Sequence, residues 1–169
     1  RQVFVARLGR PGVGTAVAVS CATAGPVRAL GFHTVVARNG VSVGERRRDA
    51  VGTGASRVGI LASITEWKGH RVLLEAVSRI PDVRLDIAGL PFPGDEAFLD
   101  ELRTRAAMPD LRGRVFFLGH VPPAQVLDTW DVLVSASTSP EAGPLGVLEA
   151  MAHGVPVVGT DHGGTAEYL

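Results

Sequence analysis

From about residue 57 onward, short Val/Ile/Leu runs alternate with stretches of helical periodicity, and this alternation leaves few folds open. Strands are expected at Arg57–Ser63, Val83–Ala88, Arg114–Leu118, Asp131–Ser135 and Val155–Val158. Helices are expected at Lys68–Arg79, Asp95–Ala107 and Leu145–His153, with a short one after Pro122-Pro123 and a Pro/Gly loop at 91–94. In the first helix Val72, Leu73, Ala76, Val77 and Ile80 make one apolar stripe. In the second, Phe98, Leu99, Leu102 and Ala106 face inward. The strands are apolar throughout rather than at every second position, so both sheet faces are covered. That is the α/β class, a doubly wound, Rossmann-like parallel sheet. Ligands of such sheets bind beyond the carboxyl ends of the strands, which directs attention to the loops after Ser63, Ala88, Leu118 and Ser135.

Residues 1–45 differ from the rest. Gly, Ala and Val dominate, and a strand-like run at His33–Arg38 ends on the turn signal Asn39-Gly40. We read 1–45 as the tail of an earlier unit, 46–56 as a linker whose Arg46-Arg47-Arg48 triplet is solvated, and 57–169 as the functional domain. The chain has 169 residues, 46% of them hydrophobic, enough for one core. Its 17 basic and 17 acidic residues balance, so no broad basic field exists to hold nucleic acid or an anionic membrane. No apolar run reaches the ~18 residues of a membrane span. Cys21 is the only cysteine, which excludes an internal disulfide and a cysteine zinc cluster. His153, Asp161 and His162 match no common metal spacing. Sixteen of the 17 basic residues are Arg and only Lys68 is lysine, a hint that position 68 needs a compact ammonium.

The most informative stretch is Ser139–Gly159, which follows a strand and opens a helix. Pro144 suits the first helical turn and Gly154 the position after its end. The amides of Leu145 and Gly146 then belong to the unpaired donors of a helix N-terminus, where phosphate binds. Gly143 permits close approach of a ligand to the backbone. Glu141 precedes the helix and Glu149 lies about one turn inside it, so a stretched nucleotide diphosphate sugar would meet both. Glu149 stands among Val147, Leu148, Ala150, Met151 and Ala152, and a charge in so apolar a helix points to function. Its ribose-binding and Glu141's sugar-binding use the strength of carboxylates as acceptors for hydroxyl pairs. Lys68 sits at the same sheet edge, where an ammonium can neutralise a leaving diphosphate.

These residues resemble the GT4-type (group 1) retaining glycosyltransferases, two-Rossmann-domain enzymes of the GT-B fold. Glu141 and Glu149 form the Glu-x7-Glu signature. WKGH at 67–70, VRLDIAGLP at 83–91, RVFFLGHVP at 114–122, DVLVSAS at 131–137 and LEAMAHGVPVVGTDHGG to residue 164 extend the likeness. AVSCATAGPVRALGF and VVARNGVSV resemble the end of the N-terminal acceptor domain. The resemblance implies that Glu149 holds the ribose, that Glu141 contacts the donor sugar, and that Lys68 and the amides near Leu145 and Gly146 meet the diphosphate. Gly119, His120 and Val121 would lie against the base. It further implies no cofactor and no catalytic metal, with a nucleotide-diphosphate sugar as donor and a hydroxyl acceptor (sugar, lipid-linked sugar or small molecule) held mainly by another domain. A cytoplasmic enzyme, peripheral at the membrane if associated with it at all, is the expectation. The donor half is expected to be cut at both ends, and inactive in isolation.

One position departs from the family pattern. Ser63 stands where an arginine usually lies five residues before the lysine, so a bidentate cation is replaced by a single neutral donor. As a scale, one charge-assisted hydrogen bond is worth about 1.5–3 kcal/mol. This keeps a non-catalytic nucleotide-binding module or pseudoenzyme as an alternative to hexose transfer. A sugar-nucleotide epimerase ranks third.

Overall fold

A computed structural model describes residues 14–43 and 56–169. The first stretch holds strand β1 (Ala16–Ala18), helix α1 (Cys21–Ala29) and strand β2 (Thr34–Val36), the two strands pairing in parallel. Ser20 caps α1: its hydroxyl accepts from the Thr23 amide while the Thr23 hydroxyl accepts from the Ser20 amide. Most of the expected linker, with Arg46–Arg48, lies outside the described residues.

The second stretch supplies β3 (Ser56–Leu61), α2 (His70–Ser78), β4 (Val83–Ala88), α3 (Glu96–Ala106), β5 (Val115–Gly119), α4 (Pro123–Val126), β6 (Val132–Ser135), α5 (Leu145–Ala152) and β7 (Val157–Gly159). The five strands pair in parallel in the order β5-β4-β3-β6-β7. The chain winds outward from β3 in both directions, so the order reverses between β3 and β6. This is the doubly wound α/β sheet. Leu73, Leu74 and Val77 of α2 and Phe98 and Leu102 of α3 pack with Ile60, Leu85 and Ile87 in one core layer. Trp130, Leu133, Val147, Ala150 and Val155 form another with Ala88. A Cβ on Gly59 would meet the Trp130 ring at 2.0 Å, so glycine there is what seats the indole. The indole N–H donates to buried Asp86, which also accepts from Arg57 and Arg84. Burial would raise the Asp86 carboxyl, but these three donors outweigh it and hold it below its usual value.

Two details differ from the periodicity reading. Lys68 is not helical in the α sense: a 3₁₀ turn spans Glu66–Lys68, Gly69 follows at φ +75°, and α2 begins at His70. A Cβ on Gly69 would lie 1.8 Å from the Ala136 carbonyl oxygen, so the chain can pass only as glycine. The break also rotates the helix. His70, Leu73, Leu74 and Val77 are buried, while Val72 is 54% and Ile80 52% exposed. Several strand ends shift by one or two residues, as fraying ends do. Among the described residues no helix is long and apolar enough to cross a membrane.

Candidate functional site

The sheet's switch point lies between β3 and β6, and a cleft of about 620 Å³ opens above it. Nine of the ten candidate residues line it: Ser63, Lys68, His120, Val121, Glu141, Gly143, Leu145, Gly146 and Glu149. Gly119 is the exception. It closes β5 at φ +68°, and its carbonyl accepts the amide of Gly89, a residue that does line the cleft. A larger groove of about 840 Å³ runs between α2 and α3, but its charged residues neutralise one another, Arg71 with Glu101 and Arg105 with Glu75. We therefore place the candidate site above the switch point.

Local sequence explains the geometry. Pro144 caps α5 with extended backbone and makes no side-chain capping bond. Proline has no N–H and no polar side chain, so the first amides of α5 stay open toward the cleft. Gly146 lets the helix start lean on β3: a Cβ there would lie 3.0 Å from the Leu61 carbonyl oxygen. Gly143 has a second reason to be glycine. A Cβ there would lie 2.9 Å from Asn39 Nδ2 and 3.3 Å from Val19 Cγ2. It makes room for the β1–β2 segment, besides lining the cleft.

Lys68 Nζ reaches Glu141 Oε1 at 2.5 Å, and the ammonium also lies 4.2 Å from the centre of the Trp67 ring. The same Glu141 oxygen accepts from the Ser137 hydroxyl at 2.5 Å. Glu141 is buried, with side-chain exposures of 8% for it and 17% for Lys68. Its backbone is tied down as well, since its carbonyl accepts the Gly164 amide at 2.7 Å. Glu149 is half-buried, and its carboxylate has no protein partner among the described residues. Among the described residues no arginine lines the cleft, so none of them replaces the guanidinium that Ser63 lacks. Among the described residues Lys68 is the one permanently cationic side chain that lines it.

Sequence reasoning missed four contributors. Ser137 lies two residues past β6, and a serine there carries no pattern of its own. Leu90 and Phe92, 56% and 61% exposed, form an apolar wall of the cleft, although the Pro/Gly pattern identified only a loop. Asn39, read as a turn signal, donates from Nδ2 to the Gly143 carbonyl at 3.0 Å across 104 residues. His153, Asp161 and His162 do not converge: His153 Nδ1 instead meets Asp128 at 2.8 Å.

Comparison with known proteins places this geometry in context. The family described as glycosyl transferases group 1 matches residues 45–169. No curated protein matches. HepE of Anabaena, solved in complex with UDP-glucose, superposes with a TM-score of 0.88 at 25% identity, over 98% of this chain and 50% of HepE. Sucrose-phosphate synthase of Thermosynechococcus elongatus gives 0.84 at 21%, over 96% and 44%. The C-terminal domain of LpcC, a group 1 protein of Francisella tularensis, gives 0.57 at 28%, over 66% and 60%. The chain thus spans about half the length of the first two.

Proposed function

Because the chain belongs to the group 1 glycosyl transferases, we propose that it forms the donor-binding part of an enzyme that moves a hexose-type sugar from a nucleotide diphosphate to a hydroxyl acceptor, with retention at the anomeric carbon. The observation that carries this reading is the open start of α5 beside the Lys68–Glu141 pair and the unpartnered Glu149, all in one cleft. The UDP-glucose held by HepE supports the donor class. Residues 1–45 then end the acceptor side, 46–56 link, and 57–169 hold the donor.

In this proposal the diphosphate sits on the amides of Leu145 and Gly146. The Lys68 ammonium has three N–H donors, of which Glu141 takes one, leaving others for the diphosphate. Charge that builds on the leaving diphosphate as the glycosidic bond stretches is met by this ammonium and these amides, which supply the electrostatic stabilisation without a metal or cofactor. Glu141, held by Ser137 and Lys68, faces the donor sugar. Glu149 takes the ribose hydroxyls, and the base lies by Gly119, His120 and Val121, with Leu90 and Phe92 as an apolar wall. The acceptor attacks on the face that the diphosphate leaves. A cytoplasmic enzyme, peripheral at a membrane where the acceptor is lipid-linked, suits this chemistry.

The test is the full-length protein with a panel of nucleotide diphosphate sugars and hydroxyl acceptors, followed by proton NMR of the product. Retained anomeric configuration and acceptor-dependent release of nucleoside diphosphate are expected. An inverted product rejects retention. Ser63, in a cleft that no arginine lines among the described residues, favours one second reading: a module that binds nucleotide without turnover. Binding by calorimetry with neither transfer nor donor hydrolysis would establish that reading instead.

A further inference from the structure

A helix start is ordinarily held in place by a capping side chain, which consumes one or two of its free amides. α5 has no such cap. An anion cradle built on those amides nevertheless needs a fixed orientation, because its donors must point at one place. The structure supplies a fixing contact from elsewhere in the chain. Asn39, three residues past β2, donates from Nδ2 to the carbonyl of Gly143 at 3.0 Å. Gly143 immediately precedes the capping Pro144, and its missing side chain leaves the space that Asn39 Nδ2 and Val19 Cγ2 fill.

We infer that Asn39 is the positioning residue of the donor cradle: it clamps the entrance of α5 from outside, through an acceptor, and so leaves the unpaired amides of the helix's first turn free for phosphate. The bond engages a carbonyl of the entering chain rather than a helix N–H, so orientation is gained without occupying the site. Asn39 also lies before residue 45, where the family match begins. The donor cradle therefore depends on a residue of the preceding segment. This inference rests on the nucleotide reading of the cleft given above.

The experiment uses the full-length protein and whichever of UDP, ADP and GDP the wild type binds best, compared by calorimetry with the corresponding nucleoside. Asn39→Ala is expected to weaken the diphosphate about three- to tenfold, the scale of one neutral hydrogen bond, and to leave the nucleoside unaffected. Asn39→Asp keeps the shape but loses the donor, and is expected to bind the diphosphate no better than Asn39→Ala. Gly143→Ala, whose new methyl would displace Asn39, should give a similar loss, and the Asn39→Ala/Gly143→Ala pair should lose little more than either alone. In turnover, the donor KM should rise while the acceptor KM holds. Unchanged diphosphate affinity in Asn39→Ala, an equal loss for nucleoside and diphosphate, or an Asn39→Asp variant that binds like the wild type would overturn the inference alone. A wild type that binds none of the three diphosphates would overturn the reading of the cleft itself, and the inference with it.

Discussion

Lys68 has to serve two partners, and this sets what its replacement should do. It is the sole lysine of the chain, it lines a cleft without arginine among the described residues, and its ammonium lies 2.5 Å from Glu141 Oε1. In the proposed function, removing it takes away a charge that acts where negative charge develops, an effect typically worth 10²–10³-fold in rate. Lys68→Ala in the full-length protein is therefore expected to lower kcat by about that factor. Lys68→Arg should recover little, because a planar fork cannot reproduce a compact ammonium seated between Glu141 and the Trp67 ring. Steady-state kinetics check both. Ser63 makes the opposite prediction. It is exposed on the cleft wall, so Ser63→Arg has room and adds the missing cation. Calorimetry should show nucleoside diphosphate bound more tightly by roughly tenfold or more, the scale of one charge-assisted hydrogen bond.

α2 shows where local sequence stops being informative. The alternation of apolar runs was enough to read the class and the strand positions, because burial of both sheet faces imposes it on the sequence directly. The Glu141–Glu149 spacing was equally legible, since a helix start fixes both positions relative to the same amides. The register of α2 was not legible, because Gly69 breaks the chain to clear the Ala136 carbonyl, a neighbour 67 residues away. The consequence is that His70 turns inward in place of Val72. Among the described residues its two ring nitrogens find no partner in full hydrogen-bond geometry. Burial, joined by the Lys68 ammonium, pushes the imidazole down to about 4, against an upward pull from the nearby Thr65 backbone. The folded value lies below the ordinary 6.5, so the unfolded chain takes up the proton first as pH falls. Full stability is thus present above pH 6.5 and is lost between 6.5 and about 4, by up to on the order of 3 kcal/mol. His70→Leu should flatten the dependence across that window, as followed by denaturant unfolding at several pH values. An unchanged slope would remove His70 as its cause.

At the scale of the whole molecule, residues 14–43 are joined to the part of the chain that carries the five-stranded sheet at two places. Asn39 meets Gly143, and the closing 3₁₀ turn at Thr165–Glu167 reaches back to α1, where the Ala22 amide donates to Glu167 Oε1 at 2.9 Å and Arg38 to Oε2 at 3.1 Å. None of this is visible in sequence, since each contact spans more than 100 residues. The backbone amides of Cys21 and Ala22 hold the Glu167 carboxyl down to about 2, with Arg38 adding to them. A depressed carboxyl contributes stability above its unfolded value of 4.5 that disappears as pH falls through about 2. Glu167→Gln is expected to lower stability at neutral pH and to flatten the acid limb between those values, read from unfolding midpoints. The cleft is tested most directly by a crystal structure of the full-length protein with a nucleoside diphosphate bound. The proposed function predicts phosphate oxygens within hydrogen-bond distance of the Leu145 and Gly146 amides and of Lys68 Nζ, with the ribose hydroxyls on Glu149. A nucleotide seated in the α2–α3 groove, or one lying in the cleft with Glu149 turned away to solvent, would contradict it.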